Sequence, residues 1–164
     1  MKYRSMGENV YASFISLYHP SHRAWVLRLI DVTQRAVPIF REKLKFPDDQ
    51  TVVIRRMQEG DHGEFYFRGQ SIHVNHLDCD IPLFVETIAH ELVHSEQFYT
   101  GKLDFQTQDN PAACLKFEGK DYYLLDGILS YPENPWEIEA YGRQKELADH
   151  VLQTFERNGY DIST

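Results

Sequence analysis

The apolar positions change their spacing several times along this chain, and each change marks an element. After His19-Pro20-Ser21, residues Trp25, Val26, Leu29, Ile30 and Val37 recur at helical spacing, with Arg23, Arg28 and Arg35 on a polar side. Ser21 is placed as the N-cap. Pro38 predicts a kink or a fresh start before Ile39, Phe40 and Leu44, and Phe46-Pro47-Asp48-Asp49 closes the segment. The period then shortens. Thr51 to Met57, Glu64 to Arg68 and Ser71 to His76 read as strands, separated by turn signals at Gly60-Asp61-His62-Gly63 and Gly69-Gln70. Three short strands with tight turns predict a small, largely antiparallel sheet or meander.

Helical spacing returns after Asp80-Ile81-Pro82, where a carboxylate and a first-turn proline suit a helix start. Leu83, Phe84, Ile88, Leu92 and Val93 form its apolar stripe, and Gly101 marks its end. Gln106 to Ala113 is a polar loop. Cys114 to Phe117 and Asp121 to Leu125, joined through Glu118-Gly119-Lys120, resemble a weaker hairpin. Tyr131-Pro132-Glu133-Asn134-Pro135 leads into a last helix, Trp136 to about Arg157, stopped by Asn158-Gly159. The fold class is α+β. No repeat, low-complexity tract or linker divides the chain, so residues 1–164 are expected to form one domain.

Composition narrows the possible roles. The 164 residues carry 17 Lys+Arg against 25 Asp+Glu, a net charge of −8. That balance, with no basic run, argues against nucleic-acid binding as the main task. A hydrophobic share of 42 % with 13 % aromatics argues against disorder. Met1 to Phe14 lacks the apolar run of a signal peptide, and Ala24 to Ile30 is broken by Arg28. A soluble, cytoplasmic protein with no membrane partner is the expectation, and Cys79 and Cys114 are expected as reduced thiols.

Chemistry concentrates in His90-Glu91-Leu92-Val93-His94, inside the second helix. Histidines four apart share one helix face and can bind one metal ion, while the intervening glutamate reaches a water on its open side. Zn2+ suits two imidazoles, a third protein ligand and a vacant position. The competing interpretation is a helix surface with two solvated histidines, or a satisfied buried pair. A third ligand is offered by Pro135-Trp136-Glu137-Ile138-Glu139-Ala140-Tyr141. Glu137 and Glu139 point about 200° apart on a helix, so only one can face the ion. Glu137 shares its face with Ala140 and Tyr141, whereas Glu139 can brace the site. Both are also ordinary first-turn acids in the field of a helix N-terminus.

Together, the two motifs resemble those of gluzincin metallopeptidases, in particular compact ImmA/IrrE-like and phage-associated zincins. The resemblance spans about residues 50–157 in element order, although the specific motifs occupy only about a dozen positions. It implies a catalytic core over 50–157, preceded by an N-terminal helical region, 1–49, without a motif. It further implies Zn2+ on His90, His94 and Glu137, and peptide-bond hydrolysis by a metal-activated water with Glu91 as general base. An extended peptide or protein substrate would lie along a sheet edge, for which Gly69 to His76 is the candidate. No helix-turn-helix region is visible, a departure from the DNA-binding fusions of some relatives.

Oxyanion stabilisation would fall to Tyr131 or Tyr141, with Tyr122 and Tyr123 as further options. His73 and His76 are expected as exposed strand residues, and His19, His22 and His62 as turn or cap residues. His150 could approach the site along the last helix. None of these is assigned as a ligand, and Cys114 is not assigned as a switch. A non-catalytic zincin-like module that binds a protein partner is the alternative function. A SprT-like, nucleic-acid-associated protease is a third possibility; the net charge opposes it, despite Arg55-Arg56.

Overall fold

A computed structural model describes residues 4–5, 10–12, 19–66, 71–106, 114–123 and 133–163. Eight strands and three helices are seen among them: β1 (Arg4–Ser5), β2 (Val10–Ala12), α1 (Pro20–Arg41), β3 (Thr51–Arg55), β4 (Gly63–Tyr66), β5 (Ser71–Asn75), α2 (Ile81–Tyr99), β6 (Leu103–Gln106), β7 (Cys114–Phe117), β8 (Lys120–Tyr123) and α3 (Pro135–Arg157). The class is α+β, as the changing period predicts. No helix among the described residues is long and apolar enough to cross a membrane.

The first sheet has the order β1-β2-β3-β5-β4. It is mixed, and this corrects the expected meander. β2 runs parallel to β3 and β3 parallel to β5, while β4 returns antiparallel outside β5. Parallel neighbours need a crossover, and α1 supplies it between β2 and β3. The segment 1–49 therefore brings strands as well as a helix, and its Val10, Val26 and Leu29 join the same core as Val52 and Ile72.

Alternation in β3 and β5 turns Val52, Ile54, Ile72 and Val74 onto the helices. Phe84, Val85, Ile88 and Leu92 of α2 meet them in that core, together with Ala140, Leu147, Val151 and Phe155 of α3. Fully burying such a side chain contributes roughly 1.5–3 kcal/mol, which fixes α2 between the sheet and α3. A second sheet, β6-β7-β8, is antiparallel throughout. Its Leu103, Leu115 and Phe117 close over Trp136 at the start of α3. Glu118 and Gly119, with φ of 51° and 81°, make the tight β7–β8 turn.

Helix boundaries follow the local chemistry in two cases of three. Asp80 caps α2, its carboxylate accepting from Leu83 N at 2.8 Å. Asn158-Gly159 ends α3 with Gly159 at φ 69°. In α1, however, the N-cap is His19 rather than Ser21, because Pro20 takes the first helical position. Pro38 lies inside α1 and does not end it.

Candidate metal centre

Helical spacing sets His90 and His94 one turn apart on the side of α2 that packs against α3. The capped start of α2 and its wholly buried Ile88, Ala89, Leu92 and Val93 fix that rotation. Glu137 sits in the first turn of α3, in phase with the buried Ala140, Leu147 and Val151. All three polar side chains are buried.

Their ligating atoms converge. His90 Nε2 lies 3.1 Å from His94 Nε2 and 3.1 Å from Glu137 Oε2, and His94 Nε2 lies 3.3 Å from Glu137 Oε1. One ligand atom from each falls within 4.8 Å of the others. Neighbouring ligand atoms around a tetrahedral zinc are about 3.3 Å apart, so the spacing fits a metal ion. Burial opposes ionisation of Glu137, but hydrogen bonds and charge from the two imidazoles outweigh it and hold its carboxyl at about 2. The donor set is thus a permanent carboxylate with two imidazole nitrogens, suited to a borderline divalent cation.

Glu139, the other candidate, turns away. It pairs with Lys102 at 2.8 Å and Arg143 at 3.1 Å, and accepts from Gln97 at 3.0 Å. The bracing option read from the sequence is what the structure shows, since Lys102 opens the second sheet and Glu139 ties it to α3.

Glu91, next to His90 in the same turn, reaches toward β4. A Cβ at Gly63 would fall 2.6 Å from Glu91 Oε1 and 2.8 Å from Thr87 Cγ2, so only glycine allows the strand to come this close. Burial lifts the Glu91 carboxyl to about 8, with Glu137 and Glu64 adding to the rise and His90 opposing it. A cleft of about 210 Å³ opens beside it, lined by His62, Gly63, Leu83, Thr87, Glu91 and Tyr141 among others.

Tyr141 borders that cleft, half-exposed, with its ring 4.7 Å from the His90 ring. Burial and the charges of Glu137 and Glu91 push its phenol upward, so it remains a proton donor. Tyr131 lies outside the described residues, as does the side chain of Tyr123. Tyr122 packs against Trp136 instead.

His19 is a cap residue as expected, at the N-cap of α1, and His62 lies exposed ahead of β4, but His76, His73 and His150 depart from expectation. His76 is buried, not exposed; its Nδ1 is 2.9 Å from His22 Nε2, and Trp25 Nε1 donates to its carbonyl. His73 is half-buried under Tyr66, their rings 4.6 Å apart. His150 points to Glu42, at 3.5 Å, rather than to the metal site. The Cys79 thiol is pushed to about 11 by burial and by Asp80 and Asp78, which makes it a poor nucleophile. The Cys114 side chain is outside the described residues.

Sequence reasoning missed two residues. Gln144 Oε1 lies 2.8 Å from His90 Nδ1, and Gln97 Oε1 lies 3.0 Å from His94 Nδ1. The signal was one of phase: Gln97 follows His94 by one helical turn, and Gln144 follows Glu137 by two. Comparison with protein-family models, curated proteins and solved structures gave no match to this chain.

Proposed function

We propose that this protein is a zinc-dependent metallopeptidase. The observation that carries the reading is the convergence of His90, His94 and Glu137, with the buried carboxylate of Glu91 beside them at an open cleft. A zinc ion bound there supplies Lewis acidity, making an attacking water more acidic and a peptide carbonyl more electrophilic.

The chain's own groups supply the rest. Glu91 takes the proton of the attacking water on a carboxylate oxygen and returns it to the nitrogen of the leaving amine. Burial lifts the metal-free carboxyl to about 8, so its proton-accepting form is the one that higher pH and a cation beside it would favour. Tyr141, at the same cleft, is placed to donate its phenol proton in a hydrogen bond to the carbonyl oxygen as charge develops there. The substrate backbone has a place beside β4, which is the outermost strand of its sheet and passes next to Glu91. That role moves from the segment 69–76, whose strand β5 is flanked on both sides by β3 and β4.

Two measurements test the proposal. Purified protein is expected to hold about one zinc per chain, sharply reduced in His90→Ala and Glu137→Ala. Glu91→Gln is expected to keep the zinc yet lower kcat on a mixed peptide pool by roughly 10²–10⁴-fold. Wild-type turnover in that variant would sink the mechanism. Full biological activity with no turnover in either protein would favour a metal-stabilised module that binds a protein partner.

A further inference from the structure

Gln97 and Gln144 form a reciprocal bracket across the α2–α3 interface. Gln97 sits on α2, receives His94 of the same helix on its Oε1, and reaches α3 with its amide nitrogen. That nitrogen donates to Trp136 O and to Glu139 Oε2, both at 3.0 Å. Gln144 sits on α3 and does the converse. Its Oε1 meets His90 of α2 at 2.8 Å, and its nitrogen donates to Glu86 Oε1, also of α2, at 2.6 Å.

These partners settle which end of each amide is which. Carbonyl and carboxylate oxygens can only accept, so the end facing Trp136 O, Glu139 and Glu86 must be the NH2 group. The other end is then a carbonyl oxygen, and each histidine must present an Nδ1–H to it. A neutral imidazole with its proton on Nδ1 has its lone pair on Nε2. Nε2 of each ring is then the nitrogen left to face Glu137, where contacts of 3.1 and 3.3 Å call for a shared proton in the metal-free chain that an incoming cation would displace. A carboxylate in either glutamine position could receive the imidazole, but it would repel Glu139 or Glu86. The amide serves two clients of opposite demand.

We propose that Gln97 and Gln144 are the positioning residues of the metal centre. They hold the Nδ1–H of both imidazoles, leave Nε2 of each for an ion, and clamp the ligand-bearing turns together before any ion arrives. Gln97 does most to join the ligands, since it holds His94 with one end and, with the other, the backbone of the residue preceding Glu137. The proposal rests on the metal-site part of the function proposed above and is independent of peptide hydrolysis.

The test begins with metal-free wild-type protein labelled with 15N in histidine. Long-range proton–nitrogen spectra are expected to show both His90 and His94 protonated at Nδ1. Gln97→Met is expected to release His94 alone, and Gln144→Met to release His90 alone. Each is expected to weaken zinc binding, measured by chelator competition, by roughly 10–100-fold. Thermal unfolding of the metal-free variants separates this loss from a loss of fold. A ring of the wild type that carries no proton on Nδ1 overturns the proposal without any variant. So do folded Met variants with unchanged tautomers and unchanged zinc affinity. A wild type that takes up no zinc removes the metal site and the bracket's purpose together. Zinc uptake without peptide cleavage sinks only the peptidase.

Discussion

Gly63 has no side chain at the place where one would meet Glu91 and Thr87, with separations of 2.6 and 2.8 Å for the missing Cβ. Gly63→Ala is therefore expected to displace the Glu91 side chain while leaving the three ligands untouched. The expected readout is a fall in kcat of at least roughly tenfold with full zinc content, and a stability cost of about 1–3 kcal/mol from overpacking. Undiminished turnover would show that Glu91 works from a different rotamer. In the sequence Gly63 was legible as a turn residue, but its approach to Glu91 depends on a non-local pairing that local pattern does not encode. The third member of the cluster was more nearly legible. Helix geometry allowed only one of Glu137 and Glu139 to join the two histidines, and the apolar stripe through Ala140, Leu147 and Val151 selects Glu137. The glutamines were hidden, because nothing in an isolated amide distinguishes a bracket from a solvated side chain.

At the scale of the element, the three helices and the β7–β8 hairpin follow from periodicity, caps and turn residues. What local pattern missed was order within the first sheet. Consecutive strands with tight turns suggest hairpins, but of β3, β4 and β5 only the last two pair that way; β3 bypasses β4 to lie beside β5. Very short β1 and β2 carry too few residues to show a period. Pro38 is a different kind of miss. Its ring forfeits one helical hydrogen bond, yet Ala36 and Phe40 on either side are wholly buried in the core, and that packing holds the last turn. Replacing Pro38 by Ala is expected to raise stability by on the order of 2 kcal/mol, roughly 4–8 °C in Tm by circular dichroism. An unchanged or lower Tm would mean that the proline ring itself is needed in the packing.

Considered as a whole molecule, the protein is expected to lose stability on the acid side through two histidines outside the His90-His94-Glu137 cluster. Burial, with Arg55 beside it, holds His73 near about 4, and burial, with His22 and Arg56, does the same for His76. In the unfolded chain both titrate near 6.5. Between these values the unfolded state takes up protons that the fold refuses, so stability declines as pH drops from about 6.5 to about 4 and is unaffected by these groups above it. Urea unfolding across that range is expected to show a shallower decline in His73→Phe, which keeps the stack on Tyr66 but cannot charge. An identical slope would acquit His73.

The ligand arrangement has a consequence that reaches beyond chemistry. Two ligands belong to α2 and the third to α3, so an ion held by all three is a cross-link. It closes a ring of about 43 residues, and a covalent bridge closing a ring of that length would stabilise a fold by roughly 4 kcal/mol. The whole β6–β8 sheet is strung on that ring, docked on Trp136 and moored through Lys102 to Glu139. Withdrawing a bound ion would therefore slacken an entire lobe of the molecule, so an ion seated there would act as a clasp for architecture.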